Sequence, residues 1–147
     1  MSRPPDYLAP FIGWKGLVVK PDTGALLSPA RRVEWPARER FEATCSKGHA
    51  TPSARCTCGV YAVRSFEELA KAHYNWDEFL PDADEIWVVA EIKLWGQIRK
   101  GAIGYRAQFG YPKRVYVPGH KLALAQKIRQ RYGCAIGVID RFTGERR

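Results

Sequence analysis

Cys45, His49, Cys56 and Cys58 fall within fourteen residues, in the order C-x3-H-x6-C-x-C. Three thiols and an imidazole, with no carboxylate among them, make a full tetrahedral set for a borderline-soft cation, and zinc is the ion this donor chemistry suits. The set also constrains the chain that carries it. Residues 45–59 have none of the bulky apolar side chains of a core strand but do have Gly48, Pro52 and Gly59, so an ion rather than a core would have to order them. Three readings are open: a closed structural zinc site, unmetallated thiols with His49 a surface or core residue, and a redox or catalytic centre. Ligand count favours the first. The C-x-C pair is tighter than the C-x2-C of common zinc fingers and puts two thiols on one side of an extended chain. A zinc deaminase would need H-x-E, whereas Thr51 stands two residues after His49 and the nearest carboxylates, Glu42 and Glu67, lie outside the loop. Four protein ligands also leave no coordination position for a catalytic water.

At 147 residues the chain fits a single domain, 1–147, with residues 1–10 an irregular arm set by Pro4, Pro5 and Pro10 and residues 141–147 a basic tail. It contains no apolar run of about eighteen residues and no leader-like start, so a cytoplasmic protein with no membrane role is expected. In a reducing compartment its four cysteines read as thiols or metal ligands, and Cys134 stands far from the other three.

The net charge of +9 is unevenly placed: residues 100–147 carry 11 Lys and Arg against 2 Asp and Glu, and residues 1–99 carry 13 of each. A one-sided excess of this kind suits a phosphate backbone or an acidic protein surface. The competing reading is internal pairing with the acidic stretch that includes Asp77, Glu78, Asp82, Asp84, Glu85 and Glu91.

Periodicity points to an α+β fold, with a small curved β-sheet or partly open β-barrel, two peripheral helices and the zinc-stapled loop. Residues 11–20 read as a strand closed by a turn at 21–24, and residues 25–44 as a second extended segment. Ser65 and Glu68 form a capping box for a helix over 66–75, with Phe66, Leu69, Ala70 and His73 as its apolar stripe; His73 reads as a packed residue. Residues 75–84 read as a packed loop. Ala90, Ile92 and Leu94 then alternate with Glu91, Lys93 and Trp95 in a half-buried strand, and Gly96 predicts a bulge or bend. After a turn at Lys100-Gly101 the alternation resumes at Tyr105, Ala107 and Phe109. Pro112 is expected to break this hairpin, with residues 114–117 a separate short strand. A helix over 120–132 follows, with Leu122, Ala125, Ile128 and Tyr132 on one face, Gly133 as its C-terminal cap and His120 at its N-terminal boundary. Residues 135–139 read as a final strand.

Rings and cations interleave between Trp95 and Tyr116, a pattern that lets rings stack on unpaired bases while cations follow phosphates. Ordinary strand composition explains part of it, since aromatic residues favour strands. Neither G-x-S-x-G nor a phosphate-binding glycine loop occurs.

The chain resembles a group of small actinobacterial and phage proteins sharing Cys…His-x-x-Pro…Cys-x-Cys-Gly-aliphatic-Tyr-Ala, then aliphatic-Trp-Gly and Gly-x-Arg-Ala. Those positions here are Cys45, His49, Pro52, residues 56–62, Leu94-Trp95-Gly96 and Gly104-Tyr105-Arg106-Ala107. The resemblance covers about residues 45–112 and implies a mobile-element or actinobacterial origin, with the four ligands acting together and no particular activity.

The sequence thus predicts a non-enzymatic, zinc-stabilised binding module that contacts nucleic acid, DNA or RNA, through Trp95, Tyr105, Arg106, Lys113, Arg114, Lys127, Arg129 and Arg131. The alternative is a phage-like interaction factor whose basic face docks on an acidic host protein. A metal-dependent hydrolase or nuclease is a weaker third reading.

Overall fold

A computed structural model describes residues 10–28, 33–54, 56, 58–71 and 85–139. The fold is α+β, built on one curved mixed sheet. Its frame is three long strands: β1 (Phe11–Lys20), β5 (Ile86–Lys100) and β6 (Gly104–Pro118). Shorter ones are β2 (Ala25–Leu27), β3 (Phe41–Glu42), β4 (Val60–Val63) and β7 (Ala135–Ile139), with helices α1 (Phe66–Lys71) and α2 (Leu122–Tyr132). β5 pairs antiparallel with both β1 and β6, while β4 pairs with β6 and touches β1 at Val63↔Trp14, so the pairings run in a ring β1-β5-β6-β4. Along the second edge of β6 lie β4 (at residues 104–107), β3 (109–110) and the parallel β7 (114–118).

Alternation decides which face is covered. Val88, Ala90, Ile92 and Leu94 of β5 face Leu17 and Val19 of β1, Ala107 and Val115 of β6, and Leu124, Ala125, Ile128 and Tyr132 of α2 in one core. Each fully buried Val, Leu or Ile side chain there contributes about 1.5–3 kcal/mol. Val89 points the other way and joins Val63, Phe66, Leu69 and Ile139 in a second cluster under α1, with Trp14 stacked on Tyr116 at 5.5 Å. α1 starts as its capping box predicts, with the Glu68 amide donating to Ser65 Oγ at 3.1 Å; residues 72–75 of the expected helix and the loop 75–84, with His73, lie outside the described residues. α2 begins at Leu122 without a side-chain cap and ends on Gly133 at φ +67°, so His120 sits in the preceding turn. The segment 25–44 is extended only in pieces: β2, the single bridge Leu27↔Glu34 and β3.

Gly96 marks a register shift between Trp95 and Ile98, at φ +78°. Pro112 does not break the hairpin. β6 runs unbroken to Pro118, and a second register shift between Glu91 and Ile92 pairs Ile92 with Pro112 and Glu91 with Arg114. Lys113 is the extra residue of that bulge, and a bulge is where a strand accepts a residue that has no N–H to donate.

No helix among the described residues is long and apolar enough to cross a membrane.

Candidate metal centre

The loop carrying the ligands is held at both ends by the same strand. β3 enters it beside residues 109–110 of β6, Ala43 extends that pairing through its amide to the Gln108 carbonyl at 2.9 Å, and β4 leaves it beside residues 104–107. A turn closed by the Gly48 amide on the Cys45 carbonyl (2.9 Å), with Gly48 at φ +78°, folds His49 back toward Cys45. A β-carbon in that conformation would be strained. Gly59, at φ +128°, ends the loop where its Cα faces the Arg106 and Pro52 side chains.

The ligand atoms of Cys45, His49, Cys56 and Cys58 all lie within 4.8 Å of one another, and none of the cysteines is in a disulfide. The Cys45 and Cys56 sulfurs are 3.8 Å apart. Two thiolates bound to zinc at about 2.3 Å and a tetrahedral angle would be about 3.8 Å apart. His49 supplies a second test of fit. Its Nδ1 lies 2.9 Å from the Ala50 carbonyl, which assigns the proton to Nδ1, while Nε2 is buried with no hydrogen-bond partner among the described residues. A ring nitrogen held in this way, with its other nitrogen bonded to a carbonyl, is the form in which histidine ligates metals. The four residues therefore fit a metal ion.

Electrostatics point the same way. The neighbouring His49 imidazole, with the Cys58 amide and the adjacent thiols, lowers the Cys56 thiol to about 6, and the Ala50 carbonyl raises His49. Cys45 is raised: the Lys47 amide lowers it, but burial and the adjacent Cys56 and Cys58 outweigh that. Crowded thiols compete for ionisation, and a divalent cation would remove the competition.

One attachment of the loop has no signature as a metal feature in the sequence. Arg106 Nη1 donates to the carbonyls of Cys56 (2.6 Å) and Cys58 (2.8 Å), and Nη2 to Ser53 (3.2 Å). Arg99 adds a longer bond from Nε to the Pro52 carbonyl at 3.4 Å. Three thiolates around a divalent ion leave one net negative charge, and the Arg106 guanidinium lies against the carbonyls of two of them. Only the register of β6 on β4, which sets Arg106 opposite Tyr61, brings it there.

The other residues expected to meet a partner are scattered. Trp95 is 9% exposed beside Phe109, and Tyr105 packs its edge on Phe11 at 5.2 Å. Lys113 pairs with Glu91 at 3.8 Å, which realises part of the internal pairing with the acidic stretch. Lys127 donates to the carbonyls of Pro21 and Asp22, and Arg131 pairs with Glu34 at 3.1 Å. Arg114 and Arg129 are exposed. Arg106 and Arg114 are eight residues apart on one strand, about 26 Å at ~3.3 Å per residue, so these side chains do not form one compact patch.

No protein-family model, curated protein or solved structure matches the chain.

Proposed function

We propose that this protein is a zinc-stapled, non-enzymatic module that binds nucleic acid through its basic C-terminal third. The observation that carries the reading is how little of that charge meets an acidic side chain among the described residues. Among the described residues, Lys113–Glu91 and Arg131–Glu34 are the ion pairs of the segment beyond residue 100, whereas Lys100, Arg114, Lys127 and Arg129 are exposed without one. Exposed pairs contribute little to stability, so an unpaired excess is better accounted for by a polyanionic partner. Zinc in the Cys45, His49, Cys56 and Cys58 site supports the face rather than a reaction, because four protein ligands fill a tetrahedral shell.

Two measurements test this. Metal analysis of the purified chain should give one zinc per molecule and no turnover of nucleic acid. Fluorescence anisotropy with labelled single strands and duplexes should show affinity falling by about tenfold or more between about 50 and about 200 mM salt, and falling further when Arg114 and Arg129 become Glu. Binding that ignores salt, or no binding to DNA or RNA of any form, overturns it. Capture of an acidic host protein that survives nuclease treatment would favour the interaction factor instead.

A further inference from the structure

The turn between β5 and β6 closes over the end of β4 and leaves a cavity of about 330 Å³, walled by Tyr61, Ala62 and Val63 on one side and by residues 99–106 on the other. Its walls are built in advance. Arg64 donates to the carbonyls of Gly101 and Ala102 while its amide bonds the Ile103 carbonyl, so the turn is tied to β4 at three points. Gly104 has to be glycine, since a β-carbon there would collide with the Ala62 carbonyl and the Val63 backbone. The floor is apolar, and two exposed apolar side chains stand at the mouth: Tyr61 (39% exposed) and Ile103 (50%). The rim is cationic. Tyr61, Arg106 and Arg99 are successive cross-strand neighbours on one face, and Lys100, opposite Tyr105, follows on the other face where β5 enters the turn. The Arg106 guanidinium is committed to the metal loop by three bonds; Arg99 is exposed and reaches the loop only through its 3.4 Å bond from Nε to the Pro52 carbonyl, and Lys100 is exposed with its ammonium 5.2 Å from the Phe11 ring.

We infer that this cavity takes one unstacked nucleotide of a single strand, its base against Tyr61 and Ile103 and its phosphate on Arg99 and Lys100. The inference rests on the nucleic-acid reading and gives that reading a place on the molecule. The cavity is at the small end of the range for small-molecule sites, sized for a single base. A base has two apolar faces and one anionic attachment, and the cavity pairs a ring and an aliphatic side chain with two cations. A base within a duplex cannot enter, because both its faces are stacked and its edge is paired.

The test compares wild type with Tyr61→Ala, Lys100→Gln and Arg129→Gln, using a labelled single-stranded oligonucleotide, the matching duplex and a mononucleotide, with zinc content and Tm measured for each chain. Tyr61→Ala should weaken single-strand binding roughly 5- to 100-fold while the salt slope stays the same. Lys100→Gln should reduce that slope by about one. Both should keep wild-type zinc, and the duplex should bind more weakly than the single strand. If Arg129→Gln weakens binding but Tyr61→Ala and Lys100→Gln do not, or if duplex binds as well as single strand, the cavity assignment fails and the nucleic-acid reading stands. If wild type binds no strand, both fail. Mononucleotide binding equal to that of the oligonucleotide would mean a free-nucleotide site and would overturn the strand assignment.

Discussion

Arg106 donates to the carbonyl of Cys58 at 2.8 Å, from a strand that is 48 residues further along the chain. Through this bond and its companions to Cys56 and Ser53, the metal loop is fastened to the sheet by a side chain that is not itself a ligand. Cys56 and Cys58 supply the carbonyls and Arg106 the guanidinium, with Gly104 letting β4 and β6 approach closely enough for the two to meet.

Replacing Arg106 by Leu should therefore weaken zinc retention about 10- to 100-fold, as loss of supporting contacts does at metal sites. Arg106→Lys should restore only part of it, because an ammonium cannot bridge three carbonyls as a planar guanidinium does. Chelator competition measures both. Wild-type zinc affinity in Arg106→Leu would show the clamp to be incidental.

Cys58→Ser, or zinc removal by a strong chelator, should loosen residues 45–59 and lower Tm while the long strands persist. Hydrogen exchange should show protection lost in the loop and retained in β5 and β6, whose core residues are buried independently of the loop. Collapse of the whole sheet on chelation would assign the metal a larger share of the fold.

Tyr132 is buried in the α2 core, where its hydroxyl accepts from the Leu26 amide at 2.8 Å and donates to the Trp35 carbonyl at 2.9 Å. Tyr132→Phe keeps the ring but leaves both backbone groups unpaired, at a cost of about 2–4 kcal/mol. Denaturant unfolding gives the value, and a loss below about 0.5 kcal/mol would mean that water replaces the hydroxyl.

Lys15 is buried on β1, and desolvation lowers its ammonium to about 8 from 10.5. Below pH 8 the folded and unfolded chains both hold the proton; between about 8 and about 10.5 only the unfolded chain does, so folding stability rises with pH in that window. Burial raises Cys134 to about 11, which acts in the opposite sense above pH 9. Comparing wild type with Lys15→Met cancels Cys134 and the ligand thiols. The stability difference, wild type minus variant, should rise by about 1 kcal/mol between about pH 8 and about pH 9. A flat difference would place Lys15 in contact with water.

Elements whose signals are local are legible in the chain without its fold. Alternation at 90–94 specified one face of β5, Gly96 specified its bulge, the Ser65 hydroxyl specified the start of α1, and Gly133 specified the end of α2. Ligand chemistry and spacing likewise single out Cys45, His49, Cys56 and Cys58, which the fold brings together. Tertiary structure decided whatever depends on which strand lies beside which. Pro112 broke a local rule, but pairing with Ile92 across a bulge absorbed it. Arg106, expected from the sequence to contact nucleic acid, is turned onto the metal loop by the β4–β6 register, and the Tyr61–Ile103 cavity exists only because β4 meets the β5–β6 turn. Periodicity reports which face of its own element a residue occupies; the side chain's partner depends on strand order and register, which the distant parts of the chain settle together.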